Sequence, residues 1–435
     1  MAVDERIPWL LAQIGASPPL TSPEDAAASI AGDDPMGLLH WLAGQLQGFA
    51  LDSITRASDV AATVRVSCPN GRTWDLKVTL EDAPTQRIEW VQLDRALLDG
   101  MEVRVAGPGD GAGIAEVCRN TEIVLGDLAV TIDPGEDYFA AIRLMDQATV
   151  LVATHHDRVV AVHCGVSYPI TYNGERQNMS QILHSRVLKE YAGLGLWSIM
   201  NRILVNGSRA RGVEAARTGG YFQNGCAYFA ADNEAARRLN GAQSPWSFQP
   251  LRLVLSCEWL ATRATTIEWH AADPTDAVHV VELLNDTHAG EELFVPYTEA
   301  SLRERLGRAP DAYGWPNLLV SDDAVIGVWN AGRTHTKRRL DAGGSTRSSV
   351  RALVFDHGFR AGAEDAFEQI LAEAARRAMA AGMTHLTIFT SDAARGSTRL
   401  RELAEESEPY ILSTPYTPEP EGAAARGLYV DQVYF

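Results

Sequence analysis

Strand-patterned residues 182–187 run almost directly into Gly193-Leu194-Gly195, and a helix-patterned segment, 194–205, follows at once. A strand that feeds a helix through a glycine turn belongs to a sheet with helices packed on it, because the helix must bury its apolar stripe against that sheet. The turn also has chemical potential. Free N–H groups crowd a helix N-terminus, the helix dipole favours negative charge there, and glycine lets a phosphate approach where a Cβ would intrude. Arg186 and Lys189 place positive charge nearby. An ordinary strand–helix corner uses the same Gly-x-Gly spacing, so the rest of the chain has to decide between the two.

Three blocks follow from the patterning, over 1–99, 100–264 and 265–435. In the first, Asp34-Pro35 opens a helix as N-cap and first-turn residue, with Leu38, Leu39, Leu42, Leu46 and Phe49 on one face. Alternating segments 51–56, 62–68, 73–80 and 88–93 come next, with Pro69-Asn70-Gly71 as a hairpin turn. That is a small α+β domain, a helix on an antiparallel meander, which resembles cystatin-like or nuclear-transport-factor-like modules. No residue cluster in it points to chemistry, so it reads as scaffold, and its sheet offers a pairing surface for a homo-oligomer.

The second block alternates strands and helices, with strands at 103–106, 149–154, 158–167, 179–187, 213–218 and 251–255 and a linking segment over 168–177. His155-His156-Asp157 suits a hairpin tip far better than a metal site. The third block repeats the order in pattern, with strands at 267–270, 317–321, 325–331, 349–355, 386–390 and 428–435 and helices at 276–287 and 363–381.

The net charge of −18 argues against nucleic acid, whose phosphates need clustered Lys and Arg, and mildly favours an amine-bearing partner. There is neither a signal-peptide pattern nor an apolar run long enough for a bilayer, so a cytoplasmic location without a membrane partner is expected. Cys68, Cys118, Cys164, Cys226 and Cys257 are scattered, as reduced core thiols would be, and no metal site is expected.

The segment 182–197 resembles the pyrophosphate loop of the GNAT superfamily of acyl-CoA-dependent N-acyltransferases, and residues 101–256 resemble it in the order of their strands and helices. Asn233-Glu234-Ala235-Ala236 is similar to the Asn-x-x-Ala start of the family's following helix. The resemblance implies a mixed α+β and α/β architecture: two consecutive GNAT-like units, each a mixed central sheet flanked by helices, behind the small N-terminal domain. It implies acetyl-CoA or another acyl-CoA as co-substrate, a small-molecule amine as acceptor, and a cofactor seat made of Arg186, Val187, Ala192, Gly193, Leu194, Gly195, Leu196, Trp197 and Asn233.

Two departures matter. Trp197 stands where a third small residue is usual, and Asn240 stands where the family carries its tyrosine acid, which leaves Tyr228 as a substitute. The strand has no carboxylate base, so His184, with an imidazole's range, is the candidate base. These departures also fit a non-catalytic acyl-CoA sensor. In the third block, Asp356 follows the long strand where an anion would sit and would repel it, so this unit is expected to be degenerate and structural.

Overall fold

The computed structural model describes residues 3–16, 22–30, 36, 39, 42–43, 46, 48–58, 61–69, 73–81, 87–95, 97–135, 137–197, 199–201, 203–204, 225–234, 236, 244–245, 250–340, 344–414 and 426–431. The expected Asp34-Pro35 cap, the Pro69-Asn70-Gly71 turn beyond Pro69, the strand at 213–218, Asn240 and the last four residues lie outside these. The chain divides into two compact units, residues 1–102 with 191–199, and residues 103–190 with 200–435.

In the first unit α1 (Val3–Gly15) and α2 (Pro23–Ser29) accompany an antiparallel sheet in the order β1 (Ala50–Ser58), β2 (Ala61–Ser67), β3 (Thr73–Leu80), β4 (Ile88–Arg95). Ser22 caps α2, accepting from Asp25 N at 3.1 Å, with Pro23 in the first turn where its missing N–H costs nothing. Alternation in β2 buries Ala62, Val64 and Val66, which meet Ile7, Leu10 and Ile14 of α1 and Leu39, Leu42 and Leu46 in one apolar core.

The second unit is built on one mixed sheet. Its N-terminal part comprises β5 (Met101–Val105), α3 (Gly111–Arg119), β6 (Ile123–Leu125), β7 (Leu128–Asp133), α4 (Tyr138–Leu144), β8 (Gln147–His155), β9 (Arg158–Tyr172), β10 (Glu175–Val187), β11 (Gly225–Ala230), β12 (Ser244–Pro245), β13 (Leu251–Ser256) and α5 (Cys257–Ala261). Then come β14 (His270–Ala271), α6 (Ala277–His288), α7 (Glu299–Gly307), β15 (Leu318–Val320), β16 (Ala324–Arg339), β17 (Thr346–Phe359), α8 (Glu364–Ala380), β18 (His385–Thr390), α9 (Ser397–Leu403) and β19 (Glu406–Thr414). The spatial order β14-β15-β16-β17-β18-β13-β19-β11-β10-β9-β8-β5 makes the two halves exchange their last strands. Strand β13 pairs with β18 of the later half, while β19 sits between β13 and β11.

Both halves carry the same irregularity. In β10, Leu183 pairs with Cys164 and Arg186 with Val162, so His184 and Ser185 together face His163. In β17, Val354 pairs with Val328 and His357 with Ile326, so Phe355 and Asp356 together face Gly327. Each is a β-bulge, which bends its strand and re-aims side chains. After each bulged strand the next strand among the described residues runs parallel to it but pairs briefly, at Ser180–Gly225 and Gln181–Cys226 in one half and from Arg351 to Leu353 in the other.

Several expectations are corrected. The linking segment 168–177 is instead a tight hairpin between β9 and β10, because Asn173 and Gly174 both take the left-handed backbone (φ 51° and 78°) that two-residue turns need. Asp356 is not in a loop after the strand. Strand β17 continues to Phe359, and Asp356 is buried at its bulge, accepting from Tyr313 Oη at 2.6 Å, Tyr297 Oη at 2.9 Å and Arg305 Nε at 3.1 Å. Within 428–431 the chain makes a single bridge, Leu428 to Glu292, and not a strand.

Candidate functional site

A cavity of about 200 Å3 opens at the His184 bulge. Its walls come from β10 (Gln181 to His184, Arg186), α4 (Tyr138), the end of β11 (Ala230) and Asn233, with Arg252, Arg333, His335, Thr387 and Tyr410 contributed by β13, β16, β18 and β19. His184 sits in the left-handed region (φ 52°), a conformation a bulge enforces and histidine tolerates better than most residues. The extra residue separates the two side chains at the bulge. His184 joins the cavity wall, while Ser185 Oγ meets His163 Nδ1 at 2.6 Å. Burial pushes His163 down to about 4, so that imidazole is neutral at pH 7.

His184 Nδ1 lies 3.1 Å from Tyr138 Oη. Asp137 caps α4, accepting from Ala140 N at 3.1 Å, and so holds Tyr138 in the first helical turn. Burial raises the Tyr138 phenol well above its usual value, so it stays protonated. With the imidazole proton on Nδ1, the ring is oriented by the phenol oxygen and Nε2 carries the lone pair a base needs.

Three guanidinium groups line the cavity, Arg186, Arg252 and Arg333, and no aspartate or glutamate does so among the described residues. Burial lowers Arg186 below its ordinary value and takes Arg333 to about 10. Arg252 reaches out of the cavity to Glu408 at 2.5 Å and lies 4.9 Å over the Tyr410 ring. Burial alone would raise Glu408, but Arg252, Arg351 and Lys337 hold it down at about 2. His335 is buried, and desolvation together with Arg351, Arg252 and Arg333 keeps it neutral.

The cavity therefore brings together His184, Arg186 and Asn233 of the residues singled out from sequence. Asn233 Oδ1 accepts from Ala236 N at 3.0 Å, as a helix N-cap does. Val187 is at the end of β10 opposite Ala161. Tyr228 is on β11 opposite Leu412, and its side chain is outside the described residues. Ala192 to Trp197 belong to the first compact unit. There Gly193 and Gly195 have φ of 82° and 77°, and Ile199 N donates to Gly195 O at 3.0 Å, which starts a helical turn at the second glycine. Leu196 is buried and Trp197 half-buried. Sequence reasoning missed Tyr138, Arg252, Arg333 and His335. The only local signal was Arg333 and His335 spaced to share one face of a strand.

Among the described residues no helix is long and apolar enough to cross a membrane, and no group of three or more His, Cys, Asp or Glu is placed to hold a metal ion.

No protein-family model matches the chain, and no curated protein matches it. Among solved structures it is similar to N-myristoyltransferase of Saccharomyces cerevisiae. A structure with bound myristoyl-CoA and inhibitors gives a TM-score of 0.51 at 10% identity, over 78% of this chain and 84% of that one. A second, with bound myristoyl-CoA, gives 0.50 at 11% identity over 78% and 82%. A GCN5-related N-acetyltransferase from Sphaerobacter thermophilus is similar at a TM-score of 0.46 and 15% identity, over 74% and 98%. At such identities the two N-myristoyltransferase likenesses speak of architecture alone: the chain has a tandem GNAT-like fold of the N-myristoyltransferase kind.

Proposed function

We propose that this protein is an acyl-CoA-dependent N-acyltransferase that passes a short acyl group, acetyl first, directly to a small amine. The observation that carries the reading is the bulge in β10. It places His184 and Arg186 on the wall of a cavity beside the point where β10 and β11 stop pairing. N-myristoyltransferase, of like fold, holds myristoyl-CoA. A cavity of about 200 Å3 that must admit both acyl end and acceptor favours a short chain over a long one.

In the proposed reaction the acceptor nitrogen attacks the thioester carbonyl carbon, a C–N bond forms, and the C–S bond breaks. His184 takes the proton the ammonium must lose, with Tyr138 fixing the ring. A proton then goes to the departing thiolate, and Tyr138, kept protonated by burial and 3.1 Å from His184, is the donor we assign. We assign the CoA pyrophosphate to the Gly193-Gly195 turn, whose left-handed glycines and helix start suit an anion. Residues 100–264 and 265–435 are then the two repeats, with the earlier one holding the co-substrate.

Calorimetry with acetyl-CoA tests this first, and release of free thiol across an amine panel tests it next. Absence of binding at millimolar acetyl-CoA refutes the reading. Binding without thiol release from any amine favours the sensor.

A further inference from the structure

The guanidinium groups around the His184 cavity are engaged with neighbours. Arg186 donates to Ser185 O at 2.7 Å, Arg252 to Glu408 at 2.5 Å, and Arg333 lies 5.4 Å over the Trp329 ring. His335, of the same wall, differs. It is 5% exposed, and its Nδ1 is sealed from solvent with no hydrogen-bond partner. Its Nε2 makes no hydrogen bond among the described residues either, but it is not sealed, so it is the nitrogen that meets the cavity. The backbone beneath this ring is held on both sides. His335 pairs with Ser349 of β17 and with Ile132 of β7, and Ile132 also lines the cavity. Strand β16 therefore presents the imidazole from a sheet interior, where a functional group is placed more narrowly than on a loop. Its charge is fixed too. Desolvation, with Arg351, Arg252, Arg333 and Lys337 around it, holds the ring neutral. A neutral imidazole has one N–H and one lone pair. A proton on the sealed Nδ1 would be a buried donor without an acceptor, which is rare and costly. The proton sits on Nε2, and the cavity gains a fixed, uncharged donor.

We propose that His335 is a catalytic residue supplied by the later repeat, donating its Nε2–H to the thioester carbonyl oxygen of the bound acyl group. The inference rests on the N-acyltransferase reading and adds a reacting group to it. As the acceptor nitrogen forms its C–N bond, the carbonyl π pair moves onto oxygen. The hydrogen bond from His335 strengthens as that charge grows, and no proton crosses it. When the C–S bond breaks the pair returns to the carbonyl, and the thiolate is protonated as described above. His184 and His335 thus have separate tasks, one taking the ammonium proton and the other meeting the oxyanion. The cavity, at about 200 Å3, is smaller than the ~300–1,000 Å3 of pockets for drug-sized ligands, so an acyl end beside His184 is also within the space His335 faces. A donor held in a strand and screened from water needs no reorganisation as the charge develops, which is what makes such a group effective. The later repeat, expected from sequence to be structural, then takes part in the chemistry.

The test reads the bond to oxygen directly. Acetyl-CoA isotope-labelled at the carbonyl carbon is bound without an acceptor, and infrared difference spectroscopy locates its carbonyl stretch. The band should lie lower in the wild type than in His335→Phe, which keeps a ring and loses the donor. His335→Gln, whose amide N–H can reach towards the same place, should recover part of the shift. In turnover, His335→Phe should lower kcat by ~100–1,000-fold, the range for losing one oxyanion donor, with the amine KM and the acetyl-CoA Kd held within about 3-fold. His335→Gln should regain at least ~10-fold of that kcat. A histidine that only packs would change stability and leave the band where it is. Equal band positions in wild type and His335→Phe, both with acetyl-CoA bound, overturn the inference and leave the acyltransferase reading standing. Absence of acetyl-CoA binding to the wild type sinks that reading and the inference with it. If His335→Phe does not fold, the wild type and His335→Gln decide. A wild-type band no lower than that of an acetyl thioester in aprotic solvent overturns the inference, and a lowered band that weakens in His335→Gln upholds it.

Discussion

Glu408→Gln is the perturbation whose consequence follows most directly from the structure. Glu408 is on β19, the strand exchanged into the earlier half, and pairs in register with Arg252 of β13. Its side chain is 17% exposed and faces Arg252, Lys337 and Arg351. The three cations hold its carboxyl at about 2 against 4.5 in an unfolded chain. At about 1.36 kcal/mol per pH unit, the folded state gains about 3 kcal/mol from this one ionised group. The sign follows from a depressed acid: the gain is complete above pH 4.5 and is lost as pH falls towards 2. Glutamine keeps the shape and removes the charge that Arg252 and Arg351 face, while Lys337 keeps Glu406. Urea unfolding at pH 7 should therefore show the variant less stable by about 3 kcal/mol, a size typical of breaking a buried pair. The linkage relation gives a gap that narrows to about 2 kcal/mol at pH 3.5 and continues to close below it. A gap under about 0.5 kcal/mol at pH 7, or one that does not change between pH 7 and 3.5, would refute the assigned role of Glu408.

Other outcomes follow from the site and its supports. His184→Ala should lower kcat about 100-fold or more while acetyl-CoA affinity by calorimetry is unchanged, and Tyr138→Phe should cost less but displace the pH profile of kcat/KM. Gly195→Asp sets a carboxylate where a pyrophosphate is proposed, so acetyl-CoA binding should vanish; the left-handed backbone there (φ 77°) costs the variant about 1 kcal/mol, so its melting temperature should fall by a few degrees while the circular dichroism spectrum keeps its shape. Gly327→Ala should destabilise the protein by about 3 kcal/mol in urea unfolding, because a Cβ there collides with Tyr313 Oη and dislodges the hydroxyl that donates to Asp356 at 2.6 Å.

What the sequence revealed was local. Alternation in β2 and the His155–Asp157 tip are visible in the residues, because a strand's face and a turn's dihedrals are set within a few positions. The β17 bulge was hidden, since an extra residue breaks alternation at Phe355-Asp356 and makes a continuing strand look finished. The site was half legible. His184 and Arg186 lie on the motif strand, whereas Arg252, Arg333 and His335 reach the cavity from strands distant in sequence. Their lateral neighbours are a property of topology, which no window along the chain contains.

The exchange of β13 and β19 has a further consequence, for the order in which the protein can be completed. During synthesis β11 and β13 emerge together, but the strand that fills the place between them is residues 406–414, made only after β14 to β18. Until then each offers unsatisfied N–H and C=O groups to any passing strand, the condition that invites mispairing and aggregation. Strand β18 waits in the same way for β13, already made, to settle beside it. The two repeats are thus not successive folding events but one closure, made when β19 threads home. A descendant that lost either repeat would have to invent a new edge strand first.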